Sequence, residues 1–99
     1  MEETLSLQKC AERLERRGFR CFVVPGLKEA AGVMRGLVRE FNPASASYGD
    51  SMTLKATGIL DDLRANPDIQ FYDGFLPDMD REEKWEIRRR GMTAELCLT

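Results

Sequence analysis

Gly49, Asp50, Ser51, Met52 and Thr53 are the residues of this chain best suited to chemistry, within the stretch Ser45-Ala-Ser-Tyr48-Gly-Asp-Ser-Met-Thr53. A short run of small and apolar residues stops at a glycine, and a hydroxyl-bearing helix start follows at once. Glycine lets a ligand come close to the backbone, and the first N–H groups of a helix carry partial positive charge. The pattern predicts an anion pocket. The N–H groups of Ser51, Met52 and Thr53 would point into a crevice, and the Thr53 hydroxyl would add a donor to a phosphate or carboxylate. A plainer reading of the same residues is a turn at Gly49 and an N-cap at Asp50 or Ser51. Asp50 also works against a phosphate, because its carboxylate repels an anion unless it points away or holds a cation.

Other clusters give weaker signals. Arg88-Arg89-Arg90 could grip an anion, but they fall in the last turn of an expected helix, where cations complement the helix dipole. Asp78, Asp80, Glu82 and Glu83 lack the spacing of a calcium loop and suit a helix start, so no metal site is expected. Asp61-Asp62 has no partner in sequence for acid–base work. Tyr72 and Trp85 are expected as packing residues, with no basic and aromatic interleaving around them.

Absences narrow the chemistry further. The chain has no histidine, which removes the commonest general base and zinc ligand. Its three cysteines, Cys10, Cys21 and Cys97, form no C-x-x-C pair and are too few for an iron–sulfur cluster. They read as small apolar residues rather than as ligands or a disulfide framework. No catalytic residue is assigned, and no cofactor is expected in this chain.

The elements that would position the loop follow from periodicity. Leu7, Cys10, Ala11 and Leu14 repeat at helical spacing between Glu3 and Arg17, and Gly18 ends that helix. Phe19–Val24 is aromatic and β-branched and predicts a strand closed by Pro25-Gly26. Leu27, Ala30, Ala31, Met34, Leu37, Val38 and Phe41 form the cleanest apolar stripe, ended by Asn42-Pro43. Gly32 and Gly36 inside it each cost about 1 kcal/mol against alanine, which either packing offsets or close approach by a neighbour explains.

A strand at Ser45–Tyr48 leads into the loop, and Ala56, Ile59, Leu60 and Leu63 mark one helix behind it. Asp68–Tyr72 is a further strand. Asp80-Arg-Glu-Glu83 resembles a capping box for a helix to Arg90, and Ala94–Leu98 is the last strand. Alternating β and α elements predict an α/β, Rossmann-like layered fold with a mostly parallel sheet. The last strand has no crossover helix after it, so either this short sheet suffices or the chain is half of a larger domain.

With 99 residues, 42% hydrophobic and 32% charged, the chain is expected to be one folded domain spanning 1–99. A net charge of −2 predicts no general attraction to nucleic acid or acidic membranes. The acidic start Met1-Glu2-Glu3-Thr4 is unlike a secretory signal, and no apolar run reaches bilayer length, so a cytoplasmic protein is expected. The apolar edge Leu96-Cys97-Leu98 and the Leu27–Phe41 helix are the surfaces on which a homodimer is expected.

Tyr48-Gly49-Asp50-Ser51-Met52-Thr53-Leu54, followed by Thr57-Gly58-Ile59-Leu60-Asp61-Asp62-Leu63, resembles the core signature of the lactate-utilisation (LUD) domain family. Further similarities are Gly18-Phe19 after the opening helix, the Asp73 loop before the Trp85 helix, and the closing Ala94–Thr99. The resemblance implies a layered α/β fold of the sugar-phosphate isomerase and CoA-transferase type. It also implies a link to bacterial oxidation of L-lactate to pyruvate beside iron–sulfur oxidoreductase subunits, with any cluster in those partners. The family's glycine–serine–threonine loop maps onto Gly49, Ser51 and Thr53, with Gly58 behind. The family domain is about twice this length, so the resemblance covers its N-terminal half, a truncated domain. Two other functions stay open: a small anion-binding enzyme of isomerase or transferase kind, and a non-catalytic oligomerising module.

Overall fold

Ser45–Tyr48 forms the central strand of the sheet, and its small residues explain why. Ala46 is fully buried and Ser47 nearly so, which lets layers approach both faces of the strand. The computed structural model describes residues 2–99, with side chains from Leu5 onward. In chain order the elements are α1 (Glu2–Glu15), α2 (Leu27–Phe41), β1 (Ser45–Tyr48), α3 (Met52–Ala56), α4 (Ile59–Ala65), β2 (Gln70–Tyr72), α5 (Arg81–Gly91) and β3 (Leu96–Leu98). The three strands make an open sheet in the order β2-β1-β3. Both pairings are parallel, with Ala46 opposite Phe71 on one side and Leu96 on the other. This is the expected mixed α/β, Rossmann-like arrangement.

Side chains alternate between the two faces of a strand. Ala46 and Tyr48 join the apolar cluster of Leu54, Ile59, Leu60 and Leu63, against which Met34, Val38, Phe71, Leu96 and Leu98 pack. Ser47 and Tyr72 lie under α5, where Gly91 is buried. A Cβ at position 91 would come within 3.0 Å of the Ser47 Cβ and 3.3 Å of the Tyr72 Cβ. Gly91 therefore sets how closely α5 can lie on the sheet.

Helix α2 has the expected span and stops where Asn42 turns left-handed, its N–H donating to the Val38 carbonyl. Gly32 and Gly36 do not serve close packing: nothing lies within 4 Å of where a Cβ would stand at either position. Both residues only cost helix propensity. Gly32→Ala and Gly36→Ala are each expected to raise stability by about 0.5–1 kcal/mol, read by chemical denaturation. A loss of stability in either variant would overturn that reading.

Four expectations need correction. The strand expected at Phe19–Val24 is irregular backbone, with Phe19, Phe22 and Val23 exposed. Strand preference expresses itself on a pleated surface beside a partner, and Phe19–Val24 pairs with none of β1, β2 and β3. The single helix expected over residues 56–63 is two, α3 and α4. Gly58 at φ 78° reverses the backbone between them, while the Thr57 hydroxyl donates to the Leu54 carbonyl at 2.6 Å and accepts from the Ile59 N–H at 3.3 Å. The break re-aims α4 so that Ile59, Leu60 and Leu63 all reach the core. The capping box at α5 is absent, because Asp80 occupies the N-cap without a side-chain bond. Finally, Cys10 and Cys97 are exposed rather than packed as apolar residues.

Helix α1 forms as expected, ended near Gly18 at φ 96°. Its apolar stripe does not enter the core, and Leu7 and Leu14 remain exposed. None of the described helices is long and apolar enough to cross a membrane.

Candidate functional site at the carboxyl edge of the sheet

Parallel strands end on one edge, so Tyr48, Tyr72 and Leu98 deliver their following residues to the same place. Open α/β sheets bind ligands there. The loop after β1 is tied to this edge by the Gly49 N–H, which donates to the Leu98 carbonyl at 2.8 Å. The Ser51 N–H donates to the Gly49 carbonyl, and the Ser51 hydroxyl caps α3 by accepting from the Leu54 N–H at 3.2 Å. The Ser51 hydroxyl thus serves as the cap, the Met52 and Thr53 side chains are exposed, and their N–H groups belong to the first turn of α3, which has no partner for them within the helix.

Asp50 does not confront the loop as a bare charge. Its carboxylate accepts from Lys55 Nζ at 2.7 Å, and that bond and charge hold it below the usual carboxylate range, with a smaller pull from Arg88. The objection that Asp50 would repel an anion is met by its own lysine.

Beside the loop stands a cluster that sequence reasoning missed. The Tyr48 hydroxyl donates to Asp73 Oδ1, and Arg64 donates to both oxygens of the same carboxylate. Arg64 also reaches Asp61 at 2.9 Å. Asp73 is largely buried, and Tyr48 stacks on Phe71 with ring centres 5.3 Å apart. Burial and then the Asp73 carboxylate push the Tyr48 phenol above its ordinary range. The hydrogen bond to Asp73 raises Arg64, which stays fully charged. These three groups satisfy one another and pin the loop after β2 to β1 and α4.

Arg88 closes the other side. Its Nε donates to the Gly74 carbonyl at 2.8 Å, and its guanidinium lies 3.9 Å from the centre of the Phe75 ring. Arg89 and Arg90 behave differently, both pairing with Glu86 and drawing its carboxyl down to about 2. All three arginines stand in the last turn of α5, where the helix dipole favours cations, as expected. Trp85, expected in packing, is 71% exposed.

Tyr48, Gly49, Gly74, Phe75, Arg88 and Thr99 all line one cleft of about 270 Å³. Of the five residues singled out from sequence, Gly49 lines it, and Asp50, Ser51, Met52 and Thr53 start the next helix outside its lining. The cleft offers one guanidinium, aromatic walls and polar backbone at its mouth, which suits holding a small anion. Among the described residues no three His, Cys, Asp or Glu side chains are grouped to hold a metal ion. Tyr48 and Asp73 had one legible signal: each sits where a strand ends, at the last residue of β1 and the first after β2.

A family model described as LUD domain matches residues 7–99. The chain belongs to the LUD domain family. The match takes in the carboxyl-edge loop, the Tyr48–Asp73–Arg64 cluster and α5 together, and it associates the chain with lactate utilisation at the level of the family. No curated protein and no solved structure matches this LUD domain.

Proposed function

We propose that this LUD domain is an accessory component of bacterial L-lactate oxidation to pyruvate. It works in the cytoplasm beside iron–sulfur subunits that carry the clusters. The observation that supports the reading is the family match over residues 7–99. Within it, the carboxyl-edge cleft holds a small carboxylate, with Arg88 supplying charge; the Gly49 and Ser51 N–H groups are spent on Leu98 and Gly49, so the loop's donors are those of Met52 and Thr53 and the Thr53 hydroxyl.

The test has a genetic and a binding arm. A deletion strain without a redundant copy is expected to grow poorly on L-lactate and normally on glucose; unchanged growth on L-lactate overturns the physiological assignment. For the cleft, saturating L-lactate or pyruvate is expected to raise the melting temperature of the protein, and Arg88→Ala is expected to abolish that rise. A rise that survives both Arg88→Ala and Thr53→Ala would place the carboxylate elsewhere.

A further inference from the structure

Strand β1 has a neighbour on each side, but β3 has one on a single side, which leaves its outer edge unpaired. Backbone groups of successive strand residues point to opposite edges. The Leu98 carbonyl accepts from the Gly49 N–H on the β1 side, so the N–H and carbonyl of Cys97 point outward. Proteins commonly guard such an edge with charge or proline. This edge has neither: the Glu95 carboxylate is turned back onto the Ala44 N–H at 2.7 Å, and the strand itself is Leu96-Cys97-Leu98. Beside it lies an apolar groove of about 370 Å³ between β3 and α2, walled by Met34, Leu37, Val38, Phe41, Leu96 and Leu98. Phe41 is 58% exposed there. The charges at the groove, Arg20 and Glu40, pair with each other at 3.1 Å.

We propose that the occupant of this edge is a second copy of the chain, its β3 paired antiparallel with the first about a two-fold axis at Cys97. Leu96-Cys97-Leu98 has the same pattern in both directions. An antiparallel copy therefore sets Cys97 opposite Cys97 and Leu96 opposite Leu98, with every leucine on the face that carries α2. A two-fold interface requires that self-complementarity, because the same patch serves both sides. The backbone meets the same condition. Cys97 offers one N–H and one carbonyl outward, and two copies can exchange them as a reciprocal pair across the axis. The Arg20–Glu40 pair leaves the groove neutral, so its meeting with a copy of itself brings no like-charge repulsion. The two three-stranded sheets become one of six, with both β3 edges satisfied and the two apolar grooves on one face.

Sedimentation velocity across micromolar concentrations, with a reductant present, is expected to show a dimer. Cys97→Lys sets like charges directly opposite at the axis, and Cys97→Pro removes the outward N–H. Each should weaken self-association at least tenfold. Cys97 is exposed and neither change removes a described bond within the chain, so the circular dichroism of both variants should match the parent. Paired residues stand about 5.5 Å apart at their Cα atoms. In a Cys10→Ser, Cys21→Ser background, a short bis-maleimide should therefore link two chains through Cys97, mapped by mass spectrometry. The proposal is overturned by a chain that stays monomeric, by a dimer indifferent to both Cys97 variants, or by a dimer that the reagent does not link at Cys97.

Discussion

Truncating Leu63 to alanine is expected to cost about 2–5 kcal/mol of stability. Leu63 is 2% exposed and sits on α4 within the cluster of Ala46, Tyr48, Leu54, Ile59 and Leu60. The site cannot easily collapse, because the strand beneath it offers only the small side chain of Ala46 to move inward. Small domains are stable by about 5–15 kcal/mol in total, so this one change consumes much of the margin. Met92→Ala is the matched control: Met92 is 85% exposed, and its truncation should stay within about 0.5 kcal/mol. Urea denaturation of the two variants reads the difference, and equal midpoints would contradict a core centred on α4.

The second large effect belongs to Asp73. Removing its carboxylate strips the buried Tyr48 hydroxyl and the Arg64 guanidinium of their shared acceptor, and unsatisfied buried partners cost about 1–3 kcal/mol. Tyr48→Phe should cost less, about 1 kcal/mol, because Asp73 keeps Arg64. The double variant should fall short of the sum, since the two residues share one network. Alkaline titration gives a further check. The Tyr48 phenol is raised in the folded state by burial and by Asp73. Its contribution is therefore complete below the unfolded value of about 10 and is lost as pH climbs through the folded one. Tyr48→Phe should flatten that alkaline decline in stability; an unchanged decline would assign it to other groups.

What the sequence disclosed depended on how local the cause was. Helix α2 and strand β1 were legible because their patterns answer to neighbours three, four or two residues away. Thr57-Gly58 concealed a break, since a glycine in an apolar stripe shows its left-handed turn only when the next helix must swing to the core. Phe19–Val24 misled for a different reason: its residue types describe a willing strand, but a strand exists only where a partner pairs with it, and pairing is a property of the whole sheet. The Tyr48–Asp73–Arg64 cluster joins residues 25 and 9 positions apart through the register of β1 and β2. No spacing rule within one element could show it. The Gly49–Thr53 stretch is legible as a helix start beside a strand end, and the Ser51 hydroxyl caps that helix by accepting from the Leu54 N–H.

The strand order β2-β1-β3 bears on the sequence of assembly. Pairing β1 with β2 closes a chain loop of about 25 residues, as the Tyr48–Asp73 contact spans. Joining β1 to β3 closes one of about 50, as the Ser45–Glu95 contact spans. Each doubling of a closed loop adds about 0.6 kcal/mol of entropic cost. The β1–β2 unit with α3 and α4 can thus gather the apolar cluster first, leaving β3 to dock afterwards. The Gly49 N–H has its acceptor on Leu98, so the loop after β1 is anchored only at that final step. Conversely, a chain that loosens β3 releases that loop and the packing of Leu96 and Leu98, while Leu54, Ile59, Leu60 and Leu63 still hold one another.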